Sequence, residues 1–107
     1  MSLIEILIIG SNRPIMETIE RLINREGIWK ATIAFTNDEA LDKLNSTNFR
    51  LVLLCAGIDQ EMLFKKKLLE LYPNLPVITH YGGGSGLLFA EIYQVLKPSN
   101  LPFKNNR

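Results

Sequence analysis

Four short apolar runs rich in β-branched residues, each followed by a helical pattern, constrain this chain more than any other feature. Leu3–Ile9, Trp29–Phe35, Phe49–Ala56 and Pro76–Tyr81 begin about 25 residues apart, the spacing of repeated strand–helix units. The first is almost continuously apolar, as a strand buried on both faces of a parallel sheet must be. The second alternates more and suits an edge; the third is the most apolar and suits the centre. Right-handed crossovers between successive strands then give a doubly wound parallel α/β sheet with helices on both faces.

The segments between the runs carry helix signals. Asn12 offers a cap and Pro14 a first turn, with Ile15, Ile19, Leu22 and Ile23 predicted to face inward and Gly27 to end the helix. Thr36 and Glu39 have capping-box spacing ahead of Ala40, Leu41 and Leu44. Asp59 is the expected cap of a third helix that carries Met62, Leu63, Leu69 and Tyr72 on its apolar side and stops at Pro73. Lys65, Lys66 and Lys67 then form its solvated side, with docking of an acidic partner as the lesser reading. A last helix is predicted over Leu87–Leu96.

A chain of 107 residues, 47% of them apolar, is one globular domain. The domain is expected over residues 1–97, with a tail over 98–107 that is rich in Pro, Asn and Lys. A net charge of +1 with mixed signs gives no footprint for nucleic acid or an anionic membrane, and neither is expected as a partner. The single cysteine, Cys55, cannot close an internal disulfide, and no secretory leader pattern precedes the first strand, so a cytoplasmic location is expected.

In order, the segments resemble the response-regulator receiver (CheY-like) superfamily of bacterial two-component signalling. Ile6-Leu7-Ile8-Ile9-Gly10-Ser11-Asn12 stands where receivers carry an apolar strand ending in an acidic pair. Phe49-Arg50-Leu51-Val52-Leu53-Leu54-Cys55 resembles the strand that ends in the phosphoacceptor aspartate, and Tyr72-Pro73-Asn74-Leu75-Pro76-Val77-Ile78 resembles the Pro-x-x-Pro approach to the fourth strand. The departures are chemical. Receivers hold Mg²⁺ with the acidic pair and the acceptor, because a hard cation needs several carboxylate oxygens. Here Gly10, Ser11 and Asn12 occupy the pair's place and Cys55 the acceptor's. The resemblance therefore implies a pseudo-receiver with no metal, no cofactor and no catalytic residue: a phosphorylation-independent signalling and protein-interaction module.

Receivers have five strand–helix units in the order 2-1-3-4-5, whereas this chain is expected to stop after four, in the order 2-1-3-4. Lys97-Pro98 is then a proline after a helix stop rather than the Lys-Pro of a fifth strand. The fourth strand would be an open edge and one sheet face partly bare, so the last helix is predicted beside the first, over strands three and four. That helix is apolar nearly all round, which points to a homodimer through it or through the fourth-strand edge. Leu88, Phe89, Ile92, Tyr93 and Leu96 are the expected interface, with Leu101 and Phe103 of the tail folding back as the competing explanation.

Ligands of doubly wound folds sit outside the carboxyl ends of the strands. The loop Gly82-Gly83-Gly84-Ser85-Gly86, falling there between a strand and a helix, carries the backbone N–H groups that hold phosphate or carboxylate. It supports an alternative function, a small-anion or nucleotide-binding protein or enzyme. The plainer reading is a turn capped by Ser85. Cys55 and His80 end neighbouring strands, but one thiol and one imidazole fall short of a metal site, and a cysteine after two leucines is usually inert.

Overall fold

A computed structural model describes residues 3–55, 57–58, 60–80 and 84–96. The elements follow in the expected alternation: β1 (Ile4–Ile9), α1 (Arg13–Arg25), β2 (Trp29–Ala34), α2 (Asn37–Ser46), β3 (Leu51–Cys55), α3 (Glu61–Leu71), β4 (Val77–His80) and α4 (Gly84–Val95). The strands form one parallel sheet in the order β2-β1-β3-β4, the doubly wound sheet that the spacing predicts and the CheY-like flavodoxin order that the resemblance implies. Every residue of β3 is buried, which matches its central place, whereas β2 exposes Lys30 and is an edge. The predicted tail lies outside the described residues.

Two core layers sandwich the sheet. On one face Ile6, Ile8, Leu51, Leu53 and Cys55 meet Met16, Ile19 and Ile23 of α1 and Leu88, Ile92 and Leu96 of α4. On the other, Leu7, Ile9, Val52 and Leu54 meet Ala40 and Leu44 of α2 and Phe64 and Leu68 of α3. The period-two alternation of β1 and β3 thus feeds both layers. As expected, α4 lies on the same face as α1, in a layer that reaches Ile78 of β4. That layer also extends to Trp29 of β2, whose ring centroid is 5.1 Å from Tyr93 and 6.1 Å from Phe89.

The local signals act as read at several helix ends. Asn12 Oδ1 accepts from the Ile15 N–H at 3.1 Å, and Gly27 leaves α1 with φ +77°, a backbone state that favours glycine. Thr36 Oγ1 accepts from the Glu39 N–H while Glu39 Oε1 accepts from the N–H of Phe35, one residue before the cap.

Other expectations are corrected. Ile15 is exposed and Met16 takes its inward place, because Met16, Ile19 and Ile23 form the i, i+3, i+7 stripe that faces the sheet. In α3 the inward residues are Phe64 and Leu68; Met62 is 86% exposed, and Leu63 and Leu69 are exposed as well. The N-cap of α3 is Gln60, in the left-handed region at φ 49°, and not Asp59, which lies outside the described residues. The last helix starts at Gly84 rather than Leu87, so Ser85 falls within it and not at its cap.

Candidate functional site: the strand-end rim

The carboxyl ends of β1, β3 and β4 bring together the residues singled out from the sequence. Parallel registration sets Cys55 beside His80, and both belong to the sheet face covered by α1 and α4. Gly10 is buried at the end of β1, its N–H donating to the Ala34 carbonyl. The space beside it is filled. A Cβ at position 10 would lie 2.7 Å from Met16 Sδ and 3.1 Å from Cys55 Cβ. Ser11 is exposed and stands against Gly57, where a Cβ would come within 2.4 Å of Ser11 Oγ and where φ is +90°. Asn12 is committed to its cap.

The rim is thus an apolar plug of Met16 and Cys55 over glycine, with a short polar lip. Among the described residues no group of three His, Cys, Asp or Glu side chains is placed to hold a metal ion. Burial, and secondly the charge of Glu91, push the Cys55 thiol from the ordinary 9.0 up to about 11. His80, 5% exposed, gives its Nδ1 to Glu91 Oε1 of α4 at 2.5 Å. The imidazole is thus oriented through Nδ1 by a carboxylate, and burial favours the protonated form of the thiol beside it.

A thiol held this way is expected to resist alkylation in the native state at neutral pH and to react only on unfolding. Its linkage runs one way. With the folded pKa above the unfolded one, native Cys55 keeps its proton while the unfolded thiol loses it. Stability therefore falls between about pH 9 and pH 11, by roughly 2–3 kcal/mol in all. A Cys55→Ala variant should show a shallower alkaline decline in urea midpoint; an identical decline would refute this account.

Of the predicted anion loop, Gly84, Ser85 and Gly86 belong to the first turn of α4, while Gly82 and Gly83 lie outside the described residues. The predicted interface is largely internal. Leu88, Ile92 and Leu96 are 1%, 0% and 9% exposed within this chain's own core, and Phe89 is half-buried beside Trp29. Tyr93 is the most exposed of the five. Sequence reasoning missed Glu91 and Met16. Met16 was detectable from its spacing to Ile19 and Ile23; Glu91 required knowing which face α4 covers. At the opposite end of the sheet a cleft of about 550 Å³ opens between Leu44, Phe49, Arg50, Tyr72, Pro76 and Leu96.

Solved structures share this fold. A two-component response regulator from Clostridium difficile superposes with a TM-score of 0.79 at 16% identity, covering 92% of this chain and 99% of that one. The fold is that of a CheY-like receiver. TrrA of Thermotoga maritima, solved with Mg²⁺ and BeF, matches this receiver fold with a TM-score of 0.78 at 16% identity, over 88% of this chain and all of the other. An orphan response regulator of H. pylori matches at 0.74 and 14% identity, covering 88% and 97%. No family model and no curated protein matches the chain. Among the described residues of this receiver fold, no helix is long and apolar enough to cross a membrane.

Proposed function

We propose that this chain is a receiver-like signalling module that takes no phosphoryl group and works by associating with another protein. One observation carries the reading. At the end of β1, where the resemblance expects a metal-binding carboxylate, Gly10 is packed so that a Cβ would meet Met16 Sδ at 2.7 Å and Cys55 Cβ at 3.1 Å. A receiver's Mg²⁺ needs carboxylate oxygens facing an open rim. Here a thioether and a protonated thiol, 1% and 3% exposed, face each other instead. The acceptor position implied by the resemblance is Cys55. Its raised pKa works against any role as a phosphoryl acceptor, since the thiolate is the nucleophile.

The receiver likeness does not favour the ligand-loop alternative. The experiment is incubation with acetyl phosphate and Mg²⁺, and separately with Mg²⁺ and beryllofluoride, followed by intact mass and thermal melting. Unchanged mass and melting temperature are the expected result. A phosphoryl adduct, or a saturable Mg²⁺-dependent rise in melting temperature, would overturn the proposal.

A further inference from the structure

We propose that the partner of this module is a second copy of the chain, paired antiparallel along β4 to make one eight-stranded sheet across a two-fold axis. The inference rests on the association reading above and names its surface. It begins with backbone accounting. The Val52 N–H donates to the Pro76 carbonyl, so the alternation of a parallel ladder turns Pro76, Ile78 and His80 toward β3 and Val77 and Thr79 outward. At the other edge, the outward N–H of Ala31 on β2 is met by Asn24 Oδ1 at 2.8 Å. Among the described residues, Val77 and Thr79 have no such partner for their backbone groups. Edge strands are usually guarded by charge, proline or a bulge, yet Val77-Ile78-Thr79-His80 has no acidic or lysine side chain and its proline comes just before it.

Both helical layers add apolar surface beside this edge. With Phe64 and Leu68 directed at the sheet, a right-handed β3–α3–β4 crossover puts Met62, Lys65 and Leu69 on the flank of α3 toward the open edge. Leu71, on the opposite flank, lines the cleft with Leu44 of α2, as that orientation requires. On the other face Glu91 reaches His80 of β4, so Leu87, one turn before it, shares the edge-side flank. Met62, Leu69 and Leu87 are 86%, 46% and 47% exposed. An edge strand without acidic or lysine side chains, with Met62, Leu69 and Leu87 exposed beside it, offers a row of backbone groups complementary to its own antiparallel copy. Pairing Val77 of one copy with Thr79 of the other satisfies all four outward groups twice over and sets Ile78 against Ile78 on the axis, with Met62, Leu69 and Leu87 drawn toward their own symmetry mates.

Sedimentation of the full chain at micromolar concentration should show a dimer. Thr79→Pro, which removes an outward N–H without touching the ladder to β3, should weaken self-association by about tenfold or more. Met62→Lys with Leu87→Lys, which leaves the strand intact, should do the same by setting like charges across the axis. Ile78→Cys should oxidise to a disulfide dimer, since a non-hydrogen-bonded antiparallel pair holds its Cα atoms about 4.5 Å apart. A clean monomer, or a dimer that survives both sets of changes and gives no cross-link, overturns the proposal. Either outcome leaves the inert-rim reading standing, because that is decided by acetyl phosphate and not by oligomeric state.

Discussion

Replacing Trp29 by alanine should lower stability by roughly 3–5 kcal/mol, the range for a large aromatic side chain removed from a packed core. For a domain of this size that is a fall in melting temperature of about 12 °C or more. The indole is 1% exposed and belongs to the layer shared by β1, β3, α1 and α4. It also holds the far side of α4, through Phe89 and Tyr93, while His80 and Glu91 hold the near side. Because α4 lacks a following strand among the described residues, these lateral contacts and the Leu88–Ile92–Leu96 stripe are what fix it. Loss of the indole should therefore loosen α4 selectively. Hydrogen exchange over residues 84–96 should accelerate more than over β3, and Trp29→Phe should recover most of the loss because a ring still fills the gap. A Trp29→Ala protein within about 1 kcal/mol of the parent, with α4 protected as before, would show that the helix is held by something else.

How α4 is held was only half legible in the sequence. Central and edge places could be read because burial acts residue by residue: Leu51 to Cys55 is apolar throughout and central, while Trp29 to Ala34 alternates and lies at an edge; the full order came from the receiver resemblance. Helix existence was legible from caps such as Asn12 and Thr36, whose hydrogen bonds are local. Rotational phase was not. The third helix carries Met62, Leu63, Phe64, Leu68, Leu69 and Leu71 around its whole circumference, so periodicity cannot choose a face; the sheet chose Phe64 and Leu68. The glycine run misled in another way. The first amides of a helix need no intrahelical carbonyl, so glycines are tolerated there and α4 starts at Gly84, three residues before the apolar pattern begins. The His80–Glu91 pair was invisible because it depends on α4 crossing to the α1 face, a tertiary fact no local window contains.

The rim is where sequence and structure bear on each other most directly, and Gly10→Asp tests both. Restoring a carboxylate where the resemblance expects one should not restore a receiver site; it should destabilise the domain. The new Cβ meets Met16 Sδ at 2.7 Å and Cys55 Cβ at 3.1 Å. The thioether can swing, but at 1% exposure it has no empty space to enter, and the Cys55 Cβ is fixed to a central strand. Overpacking of this kind costs about 1–3 kcal/mol, and a desolvated carboxylate without a counter-ion adds to it. The charge of Glu91, which already helps to hold the Cys55 thiol in its neutral form, opposes a second negative group nearby. We expect a loss of about 3 kcal/mol or more, a melting temperature lower by roughly 12 °C or more, and no recovery with Mg²⁺. Adding Met16→Ala to Gly10→Asp should return part of the stability, because it removes the nearest colliding atom; this separates steric from electrostatic cost. If Gly10→Asp instead melts like the parent and gains a Mg²⁺-dependent shift, the rim is an open carboxylate pocket in waiting, and the phosphorylation-independent reading fails with it.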